Sequence, residues 1–152
     1  MAASWIESWR HTIATLPPDV REIFDRPYVA HLSTIMADGR PHVTPVAVIV
    51  EGDYLLVDCD QKTVKAKNMK RDPRVALSVT APENPWITGW ARGRVVEISS
   101  ERGWEVLDLM ALKYGRKSAR NYDQPTRLVF KIEVEKGKGT NLDAGPFVRS
   151  YP

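Results

Sequence analysis

The sequence is poor in the residues from which metal centres and disulfide frameworks are built. Its 152 residues include one cysteine, Cys59, and three scattered histidines, His11, His31 and His42. A single cysteine excludes an internal disulfide, and no two of these residues stand at zinc-ligand spacing, so no metal site is expected. No apolar run approaches the roughly 20 residues of a membrane span. The N-terminus lacks the charged start, apolar centre and small-residue cleavage site of a secretory signal. A cytoplasmic protein with no membrane partner is therefore expected. Also missing are an internal repeat, a low-complexity segment, an acid–base dyad and a nucleophile with a neighbouring base.

Charge is present, but it is local. The net charge of +3 is mild, and 43% hydrophobic with 27% charged residues is ordinary for a globular chain of one domain. The excess lies largely in one stretch, where Lys62, Lys65, Lys67, Lys70, Arg71 and Arg74 face a single acid, Asp72. Thr63 is a good N-cap, so the free amides of a helix starting there would point with Lys62 and Lys65 toward a phosphate-like anion. The plain alternative is a solvated helix face made of good helix formers. Nucleic acid would call for aromatics interleaved with the charges, and residues 60–74 contain none. No nucleic-acid partner is expected.

Taken in order, residues 4–16 place Trp5, Ile6, Trp9, Ile13 and Leu16 on a helical stripe ended by Pro17-Pro18. A second short helix starts near Pro18-Asp19, runs through Ile23-Phe24 and ends at Pro27. From Tyr28 to Ile35 the pattern is extended, and Asp38-Gly39 is a hairpin turn. The returning strand covers His42–Val50, and Glu51-Gly52-Asp53 turns into a strand from Tyr54 to Cys59, giving an antiparallel meander. Pro45 cannot donate to a ladder, which makes it either a bulge that frees the backbone near Thr44 and Val46 or a mark of an edge strand. A helix to about Arg71, a strand from Arg74 to Thr80 and a loop over 81–85 follow. Residues 86–99 form a long or bent strand kinked at Gly89 and Gly93.

Residues 101–114 read as a helix whose Trp104, Leu107, Leu109, Met110, Leu112 and Tyr114 are mostly core, with Gly115 as its C-cap. A polar loop occupies 116–126. In the last strand Leu128, Phe130, Ile132 and Val134 point inward against Lys131, Glu133 and Glu135. The whole reads as a mainly β fold, a small antiparallel barrel of six to seven strands with peripheral helices. His31, His42 and Cys59 read as structural residues.

Four pieces stand in one order: Tyr28–Thr34 with Asp38-Gly39-Arg40-Pro41, then Thr44-Pro45-Val46, then Lys65–Asn68 with Arg71–Val75, then Ala91–Glu97. The series resembles the pyridoxamine 5′-phosphate oxidase-like, FMN-binding split-barrel superfamily, most closely its actinobacterial branch of deazaflavin (coenzyme F420)-dependent oxidoreductases. The resemblance covers about residues 17–135. It implies a Greek-key split barrel, with 1–17 as an N-terminal extension and 137–152 as a tail. It also implies a homodimer with a flavin-type cofactor at the subunit interface and a small-molecule substrate.

By position, the resemblance makes Lys65 the phosphate-binding lysine and Thr63 its hydroxyl neighbour. Asp58 and Cys59 fall under the ribityl chain, and the backbone of Thr44, Pro45 and Val46 falls along the ring. Lys62 and Asn68 complete the expected cofactor-binding set, while no catalytic residue is assigned. Where many flavin-mononucleotide members carry an arginine, this chain has Val64, so Lys62 or Lys67 must supply the remaining charge. Because Lys62, Lys67, Lys70 and Arg71 exceed what one phosphate needs, the polyglutamate-tailed F420 is expected as cofactor, with FMN the alternative. A non-enzymatic cofactor or tetrapyrrole carrier on the same barrel is the competing class.

Overall fold

Leu16 is non-helical and almost fully buried, and its amide donates to the Asp53 carboxylate at 3.0 Å. The computed structural model describes residues 15–116 and 127–148. The helix expected over 4–16 thus lies almost wholly outside the described residues, as does the polar loop after Arg116. Helix α1, Pro18–Asp25, follows with proline at its first position, where the missing N–H costs nothing. It buries Val20, Ile23 and Phe24.

Seven antiparallel strands form one sheet: β1 Ala30–Ile35, β2 Pro41–Val46, β3 Ile49–Glu51, β4 Tyr54–Asp60, β5 Arg74–Ala81, β6 Asn84–Ser99 and β7 Arg127–Thr140. Their order is β2-β1-β5-β6-β7-β4-β3. The two rims of the sheet are therefore consecutive stretches of chain, separated only by Ala47 and Val48. A sheet whose rims are two residues apart must curl on itself, and the result is a split barrel.

The expected meander is corrected by this arrangement. The run 42–50 is not one strand, because β2 pairs with β1 while β3 pairs with β4. Of the two readings of Pro45 the edge strand holds: it stands in regular register opposite His31 on β2, at the rim of the sheet, with no bulge. The break falls at Ala47-Val48, where the chain passes from one rim to the other.

The barrel interior is filled by alternate residues of the strands, among them Leu32, Leu55, Val57, Phe130 and Ile132, each essentially inaccessible to water. Each such side chain contributes on the order of 1.5–3 kcal/mol by leaving water. The β5–β6 connection is a two-residue turn rather than a five-residue loop, since Asn84 and Pro85 already belong to β6. Register shifts lie at Arg92/Gly93 and Val95/Glu97. Gly93 is a true bulge position, for a Cβ there would sit 1.8 Å from the Glu133 carbonyl oxygen. Gly89 serves packing instead, because a Cβ would meet Ile23 of α1 at 2.5 Å. The strand β7 does not end at Gly137 but runs on to Thr140, where Asp19 accepts from the Gly139 amide at 2.8 Å.

Helix α2, Val64–Arg71, buries Ala66, Asn68 and Met69, with Thr63 as its N-cap. Helix α3, Gly103–Lys113, lies on the outer side of β3, β4 and β7, where Val106 and Met110 pack with Ile49, Leu56 and Val129. Its expected core face is largely corrected. Trp104, Leu109 and Leu112 are exposed, Leu107 is half-buried, and Met110 alone of that group's aliphatic residues is buried. Gly115 does close the helix, with φ of +66°. No described helix is long and apolar enough to cross a membrane.

Candidate functional site

A cavity of about 560 Å³ opens on the outer side of the barrel, where the end of β4, the start of α2, the β2–β3 break and α3 converge. Alternation along β4 decides its floor. Leu55, Val57 and Cys59 belong to the barrel core, whereas Leu56 belongs to the cluster under α3. Asp58 shares the face of Leu56 and reaches the cavity with Cys59 and Asp60. The lip comes from Pro45, Val46 and Ala47, and the wall from Leu107, Met110, Ala111 and Tyr114.

The α2 end of the cavity is built by local hydrogen bonds. Asp60 accepts from the Lys62 amide at 2.7 Å through its side chain and from the Thr63 hydroxyl at 2.8 Å through its carbonyl. The Thr63 hydroxyl in turn accepts from the Ala66 amide at 3.3 Å. This turn aims the first amides of α2 and the Lys65 side chain at the cavity. The Lys65 ammonium acts through space on Asp58 and Cys59 in the same cavity.

In the same cavity, Arg127 at the start of β7 forms an ion pair with Asp58, whose side chain is 4% exposed. Burial pushes the Asp58 carboxyl above its ordinary value, and the Arg127 guanidinium opposes that rise. Burial also pushes the Cys59 thiol up, against weaker effects of Thr63 and Lys65. Cys59 is thus a neutral thiol rather than a nucleophile. The Tyr114 hydroxyl, raised by burial, is held by the backbone of Val48 and Tyr28.

Six of the nine expected cofactor-binding residues line the cavity: Pro45, Val46, Asp58, Cys59, Thr63 and Lys65. Three do not. Thr44 is one residue out of phase with Pro45 and stands opposite the core residue Leu32; its hydroxyl is buried and has no partner among the described residues. Lys62 is exposed beside the opening. Asn68 is buried under α2, donates to the Thr34 hydroxyl at 3.0 Å and accepts from Arg71 at 2.9 Å, which is a structural role. Arg71 also donates to the Ile35 carbonyl at 2.6 Å, and Arg74 pairs with Asp72. Neither adds a free charge to the site.

Sequence reasoning missed the α3 wall, Val29, Ala47, Asp60, Arg116 and Arg127. Nothing local marks Arg127, because Asp58 and Arg127 are 69 residues apart in the chain. Among the described residues, no three of His, Cys, Asp and Glu gather as a metal-binding group.

The arrangement has parallels in known proteins. A solved structure named F420 reductase matches with a TM-score of 0.74 at 24% identity, over 81% of this chain and 98% of that one. A conserved hypothetical protein from Mycobacterium tuberculosis matches at 0.66 and 18% identity, over 91% and 98%. General Stress Protein 26 from Bacillus anthracis matches at 0.59 and 17% identity, over 81% and 92%. At these identities the likeness is one of fold. No curated protein matches the chain. The family model described as pyridoxamine 5′-phosphate oxidase matches residues 16–141, most of the chain and nearly all of the described barrel, and the chain belongs to that family.

Proposed function

We propose that this chain is an oxidoreductase that uses reduced deazaflavin coenzyme F420 to deliver hydride to a small, planar, unsaturated molecule. The observation that carries the reading is the Lys65 ammonium beside the first turn of α2, in a cavity that joins the charged floor of Asp58 and Arg127 to an apolar wall of Leu107, Met110 and Ala111. Such a cavity suits a flat ring with an anionic tail. When bound, the cofactor supplies the hydride chemistry, which removes the need for a protein nucleophile or metal. Lys65, Thr63 and the first amides of α2 would hold the anionic end, while Pro45, Val46 and the α3 wall would orient the ring and exclude water.

F420 is favoured over FMN because Lys62, Lys67 and Lys70, all exposed around α2, offer more positive charge than one phosphate requires, which suits a polyglutamate tail. The likeness to a protein named F420 reductase supports the same reading. The working unit in this proposal is a homodimer. The barrel wall next to Pro45 exposes Val43, His31, Ala76, Ser78 and Trp90 on its outer side, and a second copy placed there would shut the cavity from water.

Titration of the purified protein with each cofactor tests the assignment. Quenching of deazaflavin fluorescence at micromolar protein, with turnover of enones or quinones by the reduced cofactor, is the expected result. A yellow flavin that survives dialysis would replace F420 with FMN. Binding of either cofactor without turnover would make the protein a carrier.

A further inference from the structure

Helix α3 provides the cavity wall, yet its two ends are fastened by different chemistry. At the start, Arg102 makes two hydrogen bonds to the Glu51 carboxylate, at 2.6 and 2.9 Å. At the end, the Lys113 ammonium donates to the carbonyls of Phe24 and Val48, the latter at 2.7 Å. The neighbouring Tyr114 hydroxyl accepts from the Val48 amide at 3.1 Å and donates to the Tyr28 carbonyl at 3.0 Å. The last residue of α3 and its C-cap thus satisfy both polar backbone groups of Val48.

Val48 sits in the break between β2 and β3, where neither rim offers it a ladder partner. Its side chain is 1% exposed, so its backbone groups need partners from elsewhere. The two residues before it, Val46 and Ala47, are the lip of the cavity, and Tyr114 is part of the facing wall. We propose that Lys113 and Tyr114 are positioning residues, clamping the end of α3 to the strand break and thereby setting how wide the cavity stands open.

The choice of lysine supports this. Its ammonium is bonded to carbonyls alone, with Asp25 of α1 acting on it only at a distance, and burial pulls its pKa down to about 8. An apolar residue would avoid that desolvation, whereas only a multiple donor can hold Phe24 and Val48 together.

The cavity contains its own reporter. Cys59 is the only cysteine in the chain, lines the same cavity and is 3% exposed. The test is the rate at which iodoacetamide alkylates Cys59 in the purified full-length protein at one fixed pH, with increasing urea below the unfolding transition. Losing a buried backbone partner is worth about a tenfold change in a local opening equilibrium. Tyr114→Phe and Lys113→Met are expected to speed labelling by about tenfold with little urea dependence, while Lys113→Arg, which keeps the donors, stays near the wild-type rate. Equal rates in all four proteins would overturn the proposal. So would a rise with the full urea dependence of global unfolding, or failure of arginine to restore the slow rate.

What the clamp does to a bound ring rests on the proposed function, but alkylation without added cofactor does not. A protein that labels as expected and binds neither F420 nor FMN keeps the clamp and loses the proposed function. Wild-type labelling in the variants, with cofactor bound normally, does the reverse.

Discussion

Arg127, the first residue of β7, lays its guanidinium on the carboxylate of Asp58 from β4, and the two form the inner wall of the cavity. The Arg127 side chain is 23% exposed, so water offsets part of the cost of losing its partner. Asp58→Ala should destabilise the fold by about 1–3 kcal/mol, below the full value of a completely buried pair. The midpoint of urea unfolding measures this. An unchanged midpoint would mean that the pair contributes nothing net.

Among the lysines around the α2 end, only Lys65 lines the cavity. Lys65→Ala should weaken cofactor binding by about 1.5–3 kcal/mol, the value of a charge-assisted hydrogen bond. Lys67→Ala removes a solvated charge and should cost less than about 0.5 kcal/mol. Fluorescence titration of the two variants side by side separates local contact from general attraction. Equal losses would show that Lys65 has no special place.

Asn68 was expected at the cofactor and instead ties α2 to β1 through Thr34. Asn68→Ala leaves the buried Thr34 hydroxyl without that donor and removes an acceptor from Arg71. The expected result is a loss of about 1–3 kcal/mol in stability, with cofactor affinity unchanged once the folded fraction is considered. Thermal unfolding and titration of the same preparation give both quantities.

Gly93→Ala would place a methyl group against backbone, where no side chain can yield. The β6–β7 bulge must then open or shift register, at a cost of at least about 3 kcal/mol. Loss of the folded state, followed by circular dichroism, is expected. Gly39, with φ of +85° in an open turn, has nothing within 4 Å of a new Cβ, and Gly39→Ala should cost only about 1 kcal/mol of backbone strain.

Lys113 also predicts a pH dependence. Its ammonium loses its proton at about 8 in the folded chain, against the ordinary value of 10.5. Between those two values the unfolded chain binds the proton and the folded chain does not, so this residue makes stability rise with pH across that window. Below pH 8 both states are protonated and the residue adds no slope. The melting temperature of the wild type should therefore rise relative to that of Lys113→Met as pH increases from 7.5 to 10. A constant difference would show that the ammonium is not perturbed.

Much of the fold could be read locally. The Thr63 cap, the Asp38-Gly39 turn and the alternation of Leu128, Phe130, Ile132 and Val134 each depend on neighbours a few residues away, and each is found in place. The break at Ala47-Val48 was not legible, because it follows from which distant strands pair with β2 and β3. Apolar periodicity in α3 did not say which side packs. Val106, Met110 and Ala111 are covered, while Trp104 and Leu112 are not. At the site, the β4 and α2 residues were legible as one continuous stretch. Arg127 and the α3 wall reach it only through tertiary packing, and Asn68, expected at the cofactor, and Arg71, expected to add charge there, serve as internal struts.

The placement of two prolines on β2 has a consequence for association. Pro41 and Pro45 lack the N–H that a ladder needs, so in an alternating antiparallel pair the residues of their parity, 41, 43 and 45, turn their backbone groups outward. Val43 then carries the one amide donor along that margin. An extended segment arriving there would find three acceptors and a single donor, too little for growth by strand addition. The β2 margin is thereby closed to open-ended stacking through its backbone.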